Sequence, residues 1–250
     1  MALLLKNPHS VKAALECRPA DVLEINLPPR SGAEAWQEVN QLALALGVTV
    51  TAHRAAVRPQ RRGRGNQQPK VGRESAACAR VRELPGVPLG ELFAPTEQGR
   101  ATGRLWLGLD CIQDPRNIGA IFRTAAFFGV AGVLLTADRS APLSATVYDT
   151  AAGGLEYVPF SVQTNLGRAL EVAKEAGVWV LGASEHAEVD VADVPRDRPW
   201  LLLIGNEAHG LRRMTLERCD QLCRISPRGP VTSLNASVAA AVLVAALTAK

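Results

Sequence analysis

LLLIGNEAHGLRR, from Leu201 to Arg213, is the stretch that decides how this chain folds. Its apolar run is typical of a buried strand, and the run stops abruptly at Gly-Asn-Glu. The tail CRISPRGPVTSLNASVAAAVLVAAL, from Cys223 to Leu247, repeats the arrangement: an apolar run, an elbow rich in Gly, Ser and Asn, and a helix-like segment. Strands that end in this way leave backbone amides and carbonyls at a sheet edge, where a flat ligand can bind.

Further apolar runs precede this tail at regular spacing. LWLGLD, VAGVLLT, LEYVPF, VWVLGAS, WLLLIG and QLCRI are strand-like, and helix-like segments separate most of them. Strands that are apolar throughout and alternate with helices predict a parallel sheet covered on both faces. The sequence therefore predicts an α/β domain over residues 104–250.

The first part of the chain has its own pattern. Helix-like VKAALECR and AEAWQEVNQLALALG alternate with strand-like VLEINL, VTVTA and SAACARV. This pattern predicts a small α/β domain over residues 1–93. Residues 94–103, APTEQGRATG, read as a linker.

Positive charge is concentrated in one region, although the net charge of the whole chain is only +4. Glu74 is the only acid among a run of cations: Arg54, Arg58, Arg61, Arg62, Arg64, Lys70, Arg73, Arg80 and Arg82. Residues 58–73 show no apolar periodicity and are predicted to form a mobile loop. Such a block is typical of polyanion binding, and the alternative is a solvated loop without a dedicated partner.

Composition excludes several classes of protein. The longest apolar run near the C-terminus, Val238 to Leu247, is about half of the ~20 residues that a membrane span needs, so no membrane association is expected. The five cysteines lack CxxC spacing, which favours a reducing cytoplasm over a disulfide framework. The four histidines are scattered, and no metal site is expected.

A helix is predicted to begin after Asp114-Pro115, since Asp caps helices and Pro is tolerated in the first turn. Arg123 lies off the apolar face of this helix and can point into a cleft. Taken alone, Asn117 would be a capping residue and Arg123 a surface residue. Four apolar residues recur at helical spacing and form the face that packs on the core: Ile118, Ile121, Phe122 and Ala125.

Two common nucleotide-binding motifs are not matched. GNEAHG, from Gly205 to Gly210, is followed by Leu211-Arg212 where a phosphate-binding loop requires Lys and Ser or Thr. No G-x-G-x-x-G follows a predicted strand, which disfavours a classical dinucleotide fold. His209 is interpreted as a loop residue rather than a base or ligand.

Three segments resemble the three motifs of the SpoU family of RNA ribose 2′-O-methyltransferases, within the SPOUT superfamily. They are DCIQDPRNIGAIFRTAAFFGV, IGNEAHGL and ISPRGPVTSLNASVA. AAGGLEYVPF resembles the segment between the first and second motifs, and NPHSVKAAL resembles the opening of the family's N-terminal ribosomal-protein-like RNA-binding domain. The chain departs from the family pattern in three places. Pro227 stands where the family often has methionine, and Ala236 stands where it often has valine. The loop 58–73 is also unusually basic.

The resemblance implies a parallel sheet with a deep trefoil knot, which the residue pattern alone does not suggest. It implies S-adenosylmethionine as cofactor, held by main-chain groups at Gly205, Ile225 and Leu234. It also implies a homodimer, formed through the knotted region, in which each site is completed by the partner. The many alanines of the last helix suit tight packing in such a region.

The resemblance also implies roles in methyl transfer to a ribose 2′-hydroxyl. Arg123 is expected to orient the hydroxyl and an adjacent phosphate and to stabilise developing negative charge, since a guanidinium is too basic to act as a base. The general base is left unassigned. Asn117 and Asn235 are expected to position ribose or cofactor. Glu207 is expected to anchor the motif loops or to hydrogen-bond across a subunit boundary, and Ser233 to cap the last helix or contact RNA.

We therefore expect an enzyme that methylates ribose in RNA, with ribosomal RNA first and transfer RNA second. The basic loop, with Arg61, Arg62, Arg64, Lys70 and Arg73, is expected to bind RNA phosphates. One alternative is a non-catalytic, ribosome-associated RNA-binding protein on the same scaffold. Another is a nucleotide-binding α/β enzyme of different chemistry, which the missing phosphate-loop lysine disfavours.

Overall fold

The computed structural model of the protein describes residues 1–28, 34–51, 77–94 and 104–249. These residues divide into two compact units, Met1–Glu83 and Leu84–Lys250. The basic loop 58–73, with all five of its expected RNA-binding residues, lies outside the described residues. Of the expected linker 94–103, only Ala94 lies inside them.

The first unit is a small α/β sheet domain. Its elements are β1 (Ala2–Leu5), α1 (Pro8–Cys17), β2 (Val22–Asn26), α2 (Glu34–Ala45), β3 (Val50–Thr51) and β4 (Cys78–Arg82), with a 3-10 turn at Pro19–Asp21. The strand order is β1-β4-β2-β3. β4 runs antiparallel to both β1 and β2, whereas β3 runs parallel to β2. The helices and strands predicted here from the sequence are confirmed.

The second unit contains the remaining elements. They are α3 (Leu89–Leu92), β5 (Leu105–Leu109), α4 (Pro115–Phe128), β6 (Gly132–Thr136), α5 (Ala145–Ala151), α6 (Gly154–Tyr157), β7 (Phe160–Gln163), α7 (Leu166–Glu175), β8 (Trp179–Ala183), β9 (Trp200–Ile204), α8 (Arg213–Leu216), β10 (Gln221–Cys223) and α9 (Ala236–Thr248), with a 3-10 turn at Val191–Asp193.

These strands form one six-stranded sheet in the order β10-β8-β9-β5-β6-β7. Every pairing in it is parallel. The predicted parallel α/β sheet is confirmed. Because all six strands run the same way, the loops that follow them emerge at one edge, which we call the carboxyl edge.

Helices cover both faces of this sheet. On one face, Trp106 and Leu203 pack in a core cluster with Leu170 of α7. On the other face, α9 packs against β5 and α4. The central strands β5, β6 and β9 are buried along their whole length, as Leu107 and Leu202 illustrate with 0% exposure. Burying each such side chain contributes about 1.5–3 kcal/mol, so this core dominates the stability of the unit.

Helix α4 begins and ends as its sequence predicts. The Asp114 carboxylate accepts a hydrogen bond from the backbone N–H of Arg116, and Pro115 occupies the first turn. Gly129 ends the helix in the left-handed region, with φ of 67°. The predicted apolar face is confirmed, since all four residues are 0% exposed: Ile118, Ile121, Phe122 and Ala125.

Two predictions about element boundaries differ from the structure. The units divide between Glu83 and Leu84 rather than after residue 93. The reason is that Leu92 and Phe93 are buried in the core of the second unit, where Trp106 Nε1 donates a hydrogen bond to the Leu92 carbonyl. LEYVPF is not one strand: α6 occupies its first half and β7 begins only at Phe160.

Two of the cysteines illustrate the packing of the sheet edge. Burial raises the pKa of the Cys219 thiol and of the Cys223 thiol to about 12. Both thiols are therefore neutral at physiological pH. No helix within the described ranges is long and apolar enough to cross a membrane.

Candidate active site at the carboxyl edge

The loop after β9 closes on itself. The backbone N–H of Asn206 donates to the Gly210 carbonyl at 3.0 Å, and the Gly210 N–H donates back to the Asn206 carbonyl at 2.8 Å. The Asn206 side-chain oxygen accepts from the backbone N–H of Ala208 at 3.0 Å and of His209 at 3.3 Å. The loop is thus rigid without any partner outside the chain.

Gly205 is required by this closure. A Cβ atom on Gly205 would lie 2.2 Å from the backbone carbon of Gly210 and 2.2 Å from the nitrogen of Leu211. The family resemblance implied that main-chain groups at Gly205 hold the cofactor. In the structure, the backbone that approaches Gly205 closely is that of its own loop.

A carboxylate joins this loop to the start of α4. Glu207 Oε1 accepts a hydrogen bond from Asn117 Nδ2 at 2.8 Å, and the backbone N–H groups of Gln113 and Asp114 approach the same carboxylate at 3.4 and 3.5 Å. Asn206 Nδ2 also donates to the Cys111 carbonyl at 2.9 Å. Within one chain, Glu207 therefore connects the loop after β9 to the start of α4.

A second connection between the same segments was not predicted from the sequence. Asp110 is 0% exposed at the end of β5, and its carboxylate pairs with Arg212 Nη2 at 2.8 Å and accepts from Thr215 Oγ1 at 2.9 Å. Partial burial lowers the pKa of Arg212, but the hydrogen bond and charge of Asp110 outweigh it, so that this pKa is raised. The only signal in the sequence was an acidic residue that follows an all-apolar strand.

The loops of the carboxyl edge enclose a cavity of about 900 Å³. Gly205, Ile225 and Leu234, the three positions expected to hold a cofactor, all line it. Glu207 and Ser233 line it as well. Its wall combines apolar side chains with the backbone of three loops, which suits a ligand that has both a flat ring and polar groups.

The other expected site residues are placed differently. Asn117 is buried and reaches the cavity only through Glu207. Arg123 is exposed on α4, about two turns beyond Asn117, and is not among the residues that line the cavity. Asn235 lies between two lining residues, Leu234 and Ala236.

The helix-capping role suggested for Ser233 is wrong. The cap of α9 is Asn235, whose side-chain oxygen accepts from the backbone N–H and the hydroxyl of Ser237 at 2.9 and 2.7 Å. Both residue types cap helices well, so the sequence did not distinguish them. Ser233 is instead exposed on the wall of the cavity.

Two histidines, His186 and His209, also line the cavity. His186 lies 3.7 Å from the Glu185 carboxylate, and its side chain is 88% exposed. Within the ranges that the structure describes, no group of three or more His, Cys, Asp or Glu side chains is arranged to hold a metal ion.

Comparison with known proteins agrees with this geometry. The profile of the SpoU rRNA methylase family matches residues 104–245, which is more than half of the chain, and the chain belongs to this family. The 23S rRNA (guanosine-2′-O-)-methyltransferase RlmB of Vibrio cholerae is 35% identical over 240 residues, covering 96% of this chain and 93% of that protein. The RlmB of Pseudomonas aeruginosa is 34% identical over 235 residues, covering 94% and 91%.

Solved structures show the same fold. The SpoU methyltransferase AviRb from Streptomyces viridochromogenes superposes with a TM-score of 0.76 at 22% identity, covering 99% of this chain and 88% of that one. The structure of AviRb in complex with AdoMet gives the same TM-score at 24% identity. This chain therefore shares its fold with a solved SpoU methyltransferase.

The closure of the loop after β9 predicts a strong effect for Gly205→Ala. The added methyl group must push apart the backbone of Gly210 and Leu211, which we expect to lower the free energy of unfolding by about 1–3 kcal/mol. Urea denaturation of the full chain measures this change.

Gly229→Ala is the matched control, because Gly229 lies in another loop of the same edge and a Cβ there meets nothing within 4 Å. We expect this variant to be within about 0.5 kcal/mol of the unsubstituted protein. Equal stability of the two variants would contradict the account of the loop.

Proposed function

We propose that this protein transfers a methyl group from S-adenosylmethionine to a ribose 2′-hydroxyl of ribosomal RNA. The observation that carries the proposal is the single cavity at the carboxyl edge, in which Gly205, Ile225 and Leu234 meet beside the Glu207–Asn117 hydrogen bond. Membership of the SpoU family supports the reaction, and the RlmB relatives support guanosine in 23S rRNA as the target.

The residues of the cavity fit S-adenosylmethionine. The cavity volume of about 900 Å³ admits a nucleoside that carries an amino-acid chain. Ile225, Leu234 and Leu243 offer apolar surface to an adenine ring. The backbone of the loop that begins at Gly205 offers polar groups to the remainder. When bound, the cofactor supplies a methyl group activated by a sulfonium sulfur.

The protein's part in the reaction is to position and stabilise. A ribose hydroxyl is a weak nucleophile at neutral pH, so it must be aligned and its developing negative charge stabilised. We assign this role to Arg123, because a guanidinium offers positive charge and planar hydrogen-bond donors. Asn235 positions the reactants, whereas Asn117 acts through Glu207, to which its amide donates a hydrogen bond. Ser233, exposed in the cavity wall, contacts RNA. The general base stays unassigned.

We further propose that the protein acts as a homodimer in which each site is completed by the partner. Arg123 is exposed and does not line the cavity of its own chain, so a second copy can supply it. Helix α9 also keeps Val238 and Val242 exposed at 48% and 39%, next to α4. The same proposal includes a trefoil knot in the second unit, RNA binding by the first unit and a cytoplasmic location.

The role of Arg123 is tested by Arg123→Ala. We expect its rate of methyl transfer to a 23S rRNA transcript to fall by roughly 10²–10³-fold, because one charge-stabilising donor is removed. Arg123→Lys should retain part of the activity. The rate is measured with isotopically labelled S-adenosylmethionine at saturating cofactor.

Arg168→Ala serves as the control, since Arg168 is an exposed arginine on α7, on the opposite face of the sheet from α4. Calorimetric titration should show that Arg123→Ala binds S-adenosylmethionine as the unsubstituted protein does. Unchanged methyl transfer by Arg123→Ala would contradict the assignment. Absence of cofactor binding by the folded, unsubstituted protein would favour the non-catalytic RNA-binding alternative.

The role of the basic loop is tested by replacing Arg61, Arg62 and Arg64 together with glutamine. RNA affinity should fall, and the slope of log affinity against log salt should decrease in magnitude by roughly 0.7–0.9 for each phosphate that the loop no longer neutralises. The affinity for S-adenosylmethionine should not change. Filter binding over a series of salt concentrations measures the slope, and an unaltered slope would refute RNA binding by this loop.

A further inference from the structure

Three non-glycine residues of the described chain have positive φ: Cys111 at 62°, Arg139 at 59° and Ala152 at 49°. For a residue with a Cβ, this conformation costs roughly 1–2 kcal/mol. Cys111 and Arg139 follow the neighbouring strands β5 and β6, so two of the three strained residues lie in adjacent loops at the carboxyl edge. Strain of this kind persists where the surroundings enforce it, often at functional sites.

Arg139 occupies a position at which glycine would be favoured. Asp138 and Arg139 form the centre of the turn that follows β6. A turn with positive φ at its second central residue normally carries Gly or Asn there, because Gly adopts this conformation without strain. The backbone therefore gives no reason for an arginine at this position.

The turn is held firmly to the neighbouring loop. The hydroxyls of Thr136 and Ser140 lie 2.7 Å apart, and the Ala141 N–H donates to the Ile112 carbonyl at 2.9 Å. The Cys111 N–H donates to Thr136 Oγ1 at 2.9 Å, and the Cys111 thiol contacts the Asp138 carbonyl oxygen at 3.7 Å. The loop that carries Cys111 is the one that Asn206 and Glu207 anchor, so Arg139 belongs to the framework of the site.

The Arg139 side chain is exposed at this edge. Within the part of the chain that the structure describes, no hydrogen bond or ion pair holds its guanidinium. Arg212, by contrast, is paired with Asp110. β6 and β9 are separated only by β5, a distance of roughly 10 Å across the sheet. Arg139 thus lies in a loop at the same edge of the sheet as the cavity, and it does not line the cavity.

We propose that Arg139 is a positioning residue that binds a backbone phosphate of the RNA strand next to the target nucleotide. It fixes the register of the strand so that the target ribose enters the cavity. A guanidinium is suited to this role because its planar donors match the oxygens of a phosphate. The inference rests on the proposed function, since it names a contact that the RNA substrate makes at that site.

Arg139→Gly provides the test, because it removes the side chain and relieves the backbone at once. The melting temperature should stay unchanged or rise. The kcat/KM for a 23S rRNA transcript should fall at least tenfold, chiefly through a higher KM. The slope of log RNA affinity against log salt should decrease in magnitude by roughly 0.7–0.9, the value for one phosphate contact. Arg139→Lys, which keeps the charge, should restore most of that slope.

Arg196→Ala is the control, because it removes one exposed arginine before β9, near the start of β5 at the opposite edge of the sheet, and should leave kcat/KM unchanged. If Arg139→Gly lowers both the melting temperature and the activity, Arg139 has a structural role and the inference is overturned. Unchanged kcat/KM and salt slope would overturn it as well. Absence of RNA methylation by the unsubstituted protein would instead refute the proposed function.

Discussion

The hydrogen bond between the Glu207 carboxylate and the Asn117 amide is the interaction on which the site depends. It joins two segments far apart in the sequence, one after β5 and one after β9. Asn117 is 6% exposed, and leaving a buried amide without its partner costs about 1–3 kcal/mol. The same carboxylate faces the backbone N–H groups at the start of α4, where a negative charge is also favoured by the helix dipole.

The Asp110–Arg212 pair supports the same loop from its other end. Glu207 fixes the tip of the loop to α4, whereas Asp110 fixes its exit, at Arg212 and Thr215, to the end of β5. These two attachments restrict the backbone between them. The loop can close because Gly205 has no Cβ atom that would collide with the backbone of Gly210 and Leu211. Both attachments lie within the chain itself, so the position of the loop does not require a contact with a ligand.

Periodicity and apolar runs predicted most of the fold. Local rules were enough to predict the apolar face of α4 from Ile118 to Ala125, its cap at Asp114 and five of the six strands of the larger sheet. Contacts between distant residues were not predictable in this way. Leu92 and Phe93 could be assigned to the second unit only once Trp106 was seen to pack on them. The partner of Asp110 and the left-handed backbone of Arg139 likewise depend on loops that meet only in the folded chain.

The structure brings some of the expected site residues together and keeps others apart. Gly205, Ile225 and Leu234 line one cavity. Ser233 and Asn235 are both good caps, and only the geometry of α9 chose between them. Arg123 lies outside the cavity of its own chain, a separation that a sequence motif cannot express, because a motif records order along the polypeptide and not distances in the folded protein.

Titration of S-adenosylmethionine into Glu207→Ala tests the central claim most directly. If the Glu207 carboxylate holds the wall of the cavity in place, the variant should keep its far-ultraviolet circular dichroism while its dissociation constant rises at least tenfold. Glu207→Gln can still accept a hydrogen bond from Asn117, so its dissociation constant should lie between those of Glu207→Ala and the unsubstituted protein. An unchanged dissociation constant for Glu207→Ala would contradict the account.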